Sequence, residues 1–458
     1  MTHFPRGLPA VRHAIGASLL GAALLSASAA SAQPVARPTT PIDMHGAWRM
    51  HDGGIVALYR TASDDSGWRF VDFRNGASHR LYPRDALTFT SSDAWTGATP
   101  AIHRYALSLD ANGRAAGLTL TRAGARARHG RRVAIREDSA SFTSGGTTLV
   151  GKLISPATGR GPWPVVVYVH GSDSVPSIDR VWEPYLLAAH GVAMFVFDKR
   201  GTGGSGGRYT QLFTTLADDV VAATAWLRRQ PHIDSTRIGL AGFSQGGWVA
   251  PLAASKDPGI RFMLVSYGMT MSVAEEDQLE APLKLRAQGF TDTDVREFQE
   301  LNGAIHRAAG RRFAEGWGEV EAAAARYRDR RWLTSLPGTQ SWAGMILGMG
   351  IEQAKVVLPQ MLLTYIDPFY NSVPTLESLD IPILWLIAGD DIEAPPAPTI
   401  AALAALRAKG KRIETRIFPR TDHGITEFSV KGTQRTTTRY APAYAQTMAD
   451  WISRQVRR

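Results

Sequence analysis

At 458 residues the chain exceeds what one hydrophobic core usually organises, so two domains, or one domain with a large insertion, are expected. Hydrophobic residues make up 44% and charged residues 20%, which excludes a disordered chain. The formal charge of +10 raises a nucleic-acid or anionic-surface reading, while the lack of cysteine excludes disulfides and lipid attachment through a cysteine thioether.

Residues 1–32 read as a secretory signal peptide, with Arg6 and Arg12 in a basic region, an apolar stretch from Ala14 to Leu25 and small residues ending Ala30-Ser31-Ala32. The apolar run is too short to span a membrane comfortably. Cleavage after Ala32 predicts a periplasmic or secreted protein with no stable membrane span.

Residues 33–140 carry short apolar alternations at Ile55 to Tyr59, Trp68 to Phe73, Tyr105 to Leu109 and Leu118 to Leu120, broken by Asp, Asn and Gly turns. They predict a small β-rich domain. Its Gly46-Ala47-Trp48 is similar to the opening strand of lipocalin-like barrels, against the alternatives of a β-sandwich or an open sheet. Arginines cluster at Arg114, Arg122, Arg126, Arg128, Arg131, Arg132 and Arg136, with no acidic residue from Ala111 to Arg136. No aromatic residue interleaves them, so the stretch reads as a solvated linker face and no nucleic-acid partner is expected.

From about residue 141 apolar runs alternate with helical segments, the pattern of a parallel sheet buried on both faces. Strands are expected at Val165 to Val169, Val192 to Phe197, Arg237 to Phe243, Phe262 to Tyr267, Ile383 to Ile387 and Ile413 to Phe418. Helices are expected around 181–190, 215–229, 246–255, 396–408 and 441–455. The fold class is therefore α/β, a doubly wound, mostly parallel sheet. About 110 residues between Tyr267 and Ile383 break the rhythm, and their helical spacing predicts a helical cap over about 270–370. Its tryptophans, Trp317, Trp332 and Trp342, are expected mainly in the packing of that cap.

Gly242-Phe243-Ser244-Gln245-Gly246 has the G-x-S-x-G spacing that turns a strand sharply into a helix and exposes the serine hydroxyl. Gly203-Gly204-Ser205-Gly206-Gly207 has the same spacing, but only Ser244 lies between an apolar strand and an immediate helix. Ser244 is therefore the candidate nucleophile. A serine needs a base, and the base needs an orienting carboxylate. His423, in Thr421-Asp422-His423-Gly424, follows the last expected strand and is the candidate base. The acid should end the preceding strand, where Asp390 and Asp391 compete; Asp391 is preferred. Oxyanion donors are expected from the backbone of Gln245 and of Ser172, with Gly171 as the neighbouring choice, and His170 reads as structural.

Together His170-Gly171, Asp198 to Ser205, Gly242 to Gly246, Gly389 to Asp391 and Asp422-His423-Gly424 resemble the α/β-hydrolase superfamily, specifically its bacterial esterases and serine peptidases. The likeness covers about 137–458. One residue separates Gly389 from Asp391, where family members commonly have two. The resemblance implies a carboxylic-ester hydrolase, a carboxylesterase working through an acyl-serine intermediate, that needs no metal or organic cofactor; with residues 1–32 read as a signal peptide, it is expected to be exported. The alternative is a serine peptidase or aminopeptidase, in which Glu275-Glu276 at the start of the cap would pair with a substrate amine. A small ester or a short peptide is the expected substrate; a non-catalytic binding module is the remote alternative.

Overall fold

Alternating side chains give β1 (Gly46–Met50) and β2 (Ile55–Arg60) two apolar faces: Trp48, Met50, Val56 and Leu58 enter one core, and Ala47, Ile55, Ala57 and Tyr59 another. These strands belong to a computed structural model that describes residues 43–61, 67–336, 339 and 341–457. The expected signal peptide lies outside the described residues.

With β3 (Trp68–Asp72), β4 (Ser78–Arg80), β5 (Tyr82–Pro83), β6 (Thr88–Ser91), β7 (His103–Leu109), β8 (Ala115–Arg122) and β9 (Arg128–Arg132) they form an antiparallel sheet in the order β4-β3-β2-β1-β9-β8-β7-β6-β5. Only Leu81 separates β4 from β5, so one bent segment bonds to β3 at one end and to β6 at the other. The order thus runs round on itself, as in an up-and-down barrel and unlike a sandwich. Trp48, Phe70, Leu81, Phe89 and Tyr105 fill its interior, while Tyr59, Val71 and Phe73 pack outward into one core with Trp182, Tyr185 and Tyr444.

The arginine-rich stretch is not a linker. Arg122 lies in β8 and pairs with Asp93, and Arg128 in β9 bridges Asp52 and Asp72. The sequence Arg128–Arg132 has no apolar residue to advertise a strand; β1 and β8 impose extended backbone on it from both sides.

The second sheet comprises β10 (Ile135–Ser144), β11 (Thr147–Pro156), β12 (Trp163–Val169), β13 (Ala193–Phe197), β14 (Ile233–Phe243), β15 (Ile260–Ser266), β16 (Ile383–Ala388) and β17 (Ile413–Phe418), in the order β10-β11-β13-β12-β14-β15-β16-β17. The six expected strands are its parallel part. The hairpin β10–β11 joins it antiparallel, so residue 140 falls inside a strand. Helices Phe213–Leu227, Gly246–Lys256 and Pro396–Ala408 cover one face of the sheet, and Glu183–Ala189 and Tyr444–Val456 the other. Strand order reverses at β12, whose neighbours are β13 and β14, and a crevice opens beyond the carboxyl ends of β12 and β14.

Between β15 and β16 run helices Val273–Ala287, Asp292–Gly310, Trp317–Arg326, Arg331–Ser335, Trp342–Met349, Ile351–Thr364 and Val373–Ser378. Capping boxes start the first two, Ser272 with Glu275 and Thr291 with Asp294. Phe298, Leu301, Trp332 and Ile346 give this insertion a core of its own. Among the described residues no helix is long and apolar enough to cross a membrane.

Candidate active site

The turn that ends β14 is built by two glycines and one strained serine. A Cβ on Gly242 would lie 2.5 Å from the Gly246 carbonyl oxygen, and one on Gly246 would lie 2.7 Å from that of Val169. Both positions therefore exclude side chains. Ser244 between them holds φ at +51°, a left-handed conformation costing on the order of 1–3 kcal/mol in a non-glycine residue. Hydrogen bonds from Ser244 N to Ser266 O at 3.1 Å and from Gly247 N to Ser244 O at 2.8 Å hold it there.

His423 Nε2 lies 3.0 Å from Ser244 Oγ, and His423 Nδ1 lies 2.9 Å from Asp391 Oδ2. The Asp391 carboxylate is 3% exposed, and its Oδ1 accepts the amides of Glu393 at 2.9 Å and Ala394 at 2.8 Å. A carboxylate only accepts, so Nδ1 carries a proton, and in the neutral imidazole Nε2 faces the serine as acceptor. Among the described residues Asp390 meets this region through its backbone, donating to Thr421 O and accepting from Arg435. Asp422 accepts the amides of Ile392 and His423 and pairs with Arg435, so it shapes the histidine loop.

Ser205 is elsewhere. Its hydroxyl donates to Asp198 O at 2.7 Å and accepts Val150 N–H at 3.0 Å, which pins the glycine-rich loop after β13 to β11. His170 is buried edge-on to Phe197, their centroids 5.0 Å apart, and burial and the nearby Lys199 push its pKa well down. A buried, neutral imidazole packed on Phe197 fits the structural reading.

Ser172, Ser244 and Gln245 line a cavity of about 180 Å³ between the sheet's carboxyl edge and the insertion. Phe213, Trp248, Phe313, Met345 and Leu358 supply apolar wall. Trp332 and Trp342 are buried in the insertion's core as expected, and Trp342 also lines this cavity. The expected Glu275-Glu276 pair divides: Glu275 closes the capping box and Glu276 faces the cavity. Consecutive helical residues point about 100° apart, and the partner of Glu276 is Glu280, one turn on.

Glu393 completes an acidic wall that sequence reading missed, with its Oε1 3.7 Å from His423 Nε2. The i,i+4 spacing of Glu276 and Glu280 was visible; the approach of Glu393, more than a hundred residues away, was not. Burial and the neighbouring carboxylates Glu280 and Glu393 raise the Glu276 pKa, and burial lifts Glu280 to about 7 against the opposing charge of Lys284. For His423 burial disfavours the imidazolium, but Glu393 and Asp391 outweigh it and push the pKa up to about 10. Glu393→Gln should therefore move the acidic limb of kcat to lower pH, because removing a carboxylate lowers the pKa of the base. An acidic limb that stays in place in the variant would exclude Glu393 from that electrostatic role.

His79, Asp93 and His103 gather in the β-rich sheet with ligand atoms within 4.8 Å of one another. The imidazoles of His79 and His103 stack at 4.4 Å and 26°, and His79 Nδ1 is taken by the Tyr105 hydroxyl at 2.7 Å. Arg122 and His103 hold the Asp93 carboxylate. The set reads as a hydrogen-bonded cluster of the sheet.

A model of the X-Pro dipeptidyl-peptidase (S15 family) matches residues 145–345, less than half of the chain. A thiohydrolase, aneE of Aspergillus aculeatus, is 32% identical over 125 residues, which are 27% of this chain and 38% of that protein. Bovine (Bos taurus) prolyl endopeptidase FAP is 32% identical over 107 residues, 21% of this chain and 14% of that one. The chain thus spans well under half the length of these curated relatives. The solved acylaminoacyl peptidase of Pyrococcus horikoshii aligns with a TM-score of 0.43 at 14% identity, over 85% of this chain and 54% of that one. With its strand order, its strained G-x-S-x-G turn and the family match across that turn, the chain belongs to the α/β-hydrolase superfamily.

Proposed function

We propose that the protein cleaves carboxylic acyl bonds through an acyl-serine intermediate, with Ser244 as nucleophile, His423 as base and Asp391 as its orienter. The observation that carries this reading is the unbroken chain Asp391–His423–Ser244 at the floor of a substrate-sized cavity. Ser244 Oγ attacks the carbonyl carbon and its proton passes to His423 Nε2. The backbone amides of Gln245 and Ser172 hold the oxyanion. His423 then protonates the leaving oxygen or nitrogen, the acyl–leaving group bond breaks, and water repeats the sequence to free the acid and Ser244. The helical insertion acts as a cap that selects what fits beneath it. Export to the periplasm or medium is part of this reading and rests on residues 1–32 alone.

This machinery serves esters and amides alike. The acidic wall favours the second reading, a peptidase or aminoacyl hydrolase whose substrate carries a protonated amine. Glu276, Glu280 and Glu393 border the cavity; Lys284 pairs with Glu280, and protonated His423 lies 3.7 Å from Glu393. A substrate ammonium docked there would offset the field that raises the His423 pKa, leaving the base neutral when the right substrate is bound. An uncharged ester leaves His423 protonated and slower at neutral pH.

Aminoacyl esters and anilides with a free amine, assayed beside their N-acetylated forms and beside plain alkanoyl esters, decide between the readings. We expect free-amine substrates to lead by about tenfold or more in kcat/KM, and Glu276→Gln to erase the lead. Equal rates on blocked and free substrates would instead support a carboxylesterase.

A further inference from the structure

We propose that Lys199 is a positioning residue of the oxyanion loop, its ammonium holding the Gly171 carbonyl so that the Ser172 amide faces the nucleophile. Lys199 follows β13 and is only 1% exposed. Its Nζ donates to Gly171 O at 2.6 Å and lies 5.0 Å from the centre of the Tyr209 ring. Among the described residues it makes no ion pair, although Asp198 and Arg200 flank it. Asp198 spends its carboxylate on the amides of Ser177 and Ile178, and Arg200 is bound to Asp219. A buried ammonium without a carboxylate partner is costly, and its one strong acceptor here is a backbone carbonyl beside Ser244.

The geometry of the peptide group makes that contact consequential. In a trans peptide the C=O and the following N–H point in opposite directions, so fixing the Gly171 carbonyl on Lys199 turns the Ser172 N–H away from Lys199. Gly171 itself abuts the nucleophile, since a Cβ there would lie 3.5 Å from Ser244 Cβ, so the peptide that Lys199 holds borders the place where the oxyanion would form. A cation on the carbonyl also polarises the peptide and strengthens its N–H as a donor. The next carbonyl is held in the same manner: Gln211 Nε2 donates to Ser172 O at 2.9 Å, and the Tyr209 hydroxyl donates to it as well. Two successive carbonyls of one exposed loop are thus tied from behind, the first by a charge.

The groups facing Lys199 are His170 at the end of β12, Asp173 on the oxyanion loop and the Tyr209 phenol. Burial keeps His170 neutral and Tyr209 protonated across the working range. Burial also lowers the Lys199 pKa to about 8, Asp173 opposing it. Oxyanion support should therefore weaken as Lys199 loses its proton.

The inference rests on the acyl-serine reading, and the test separates the two. Fluorophosphonate labelling of Ser244 and kcat on one activated ester are followed against pH in wild type, Ser244→Ala, Lys199→Met and Lys199→Arg. We expect Lys199→Met to lose on the order of 10²-fold in kcat and in labelling rate with KM little changed, and Lys199→Arg to recover part of the loss. In wild type the labelling rate should level off above about pH 8, where titration of His423 alone would keep it climbing. Activity surviving in Ser244→Ala would overturn the acyl-serine reading and this inference with it. Ser244 labelled normally in a fully active Lys199→Met would overturn the role of Lys199 alone. If Lys199→Met does not fold, a wild-type labelling rate that climbs on through about pH 10 is sufficient to overturn it.

Discussion

Ser244→Ala is expected to lower kcat by about 10⁴-fold or more, whereas Ser205→Ala keeps most of the activity per folded molecule. Both serines satisfy the same five-residue pattern, so the contrast tests the physical context and not the motif. Ser244 is held at φ +51° by its flanking glycines, with its hydroxyl 3.0 Å from His423 Nε2. Ser205 has both hydrogen-bonding roles of its hydroxyl committed to backbone, on Asp198 and Val150. Removing that hydroxyl leaves the Val150 amide without its partner, worth about 1–3 kcal/mol, so Ser205→Ala should lower Tm while its turnover survives. Initial rates, intact mass after fluorophosphonate treatment and a melting curve give the three readouts. An inactive, well-folded Ser205→Ala beside an active Ser244→Ala would reverse the assignment.

Much of this site could be read from sequence because each of its parts ends a strand. β16 is an apolar run, β14 ends in one, and β17 carries Ile413, Ile417 and Phe418 among polar residues; a doubly wound sheet delivers the ends of such parallel strands to one edge. Ser244, Asp391 and His423 could therefore be nominated without knowing any distance. What escaped reading depends on contacts between remote segments. The closing of the β-rich sheet rests on the bend at Leu81, and strand β9 has no apolar pattern of its own. The acidic wall joins one helix of the insertion to the loop after β16. Lys199 looked like one more basic residue in a glycine-rich loop; its burial follows from Tyr209 and the oxyanion loop folding over it.

Asp391→Asn should cost on the order of 10⁴-fold in kcat, and Asp390→Asn should cost little. The two aspartates are adjacent, and the spacing from Gly389 did not choose between them. Their surroundings do. Oδ1 of Asp391 accepts two backbone amides, from Glu393 and Ala394, while Oδ2 faces His423 Nδ1. An asparagine at this position must place its own oxygen on those two amides, because its NH₂ group cannot accept them. The NH₂ is then forced toward His423, where it demands an acceptor at Nδ1. The imidazole answers by moving its proton to Nε2, which points a donor at Ser244 Oγ and removes the base that the serine needs. Little should change in packing, so the loss should appear in kcat with a near-normal melting temperature and near-normal KM. Among the described residues Asp390 enters this region through backbone atoms, which an amide side chain leaves in place. Full activity in Asp391→Asn, together with loss in Asp390→Asn, would mean that the histidine takes its orientation from a different carboxylate. Glu393 could not take over that role, because it approaches Nε2, the nitrogen turned to Ser244.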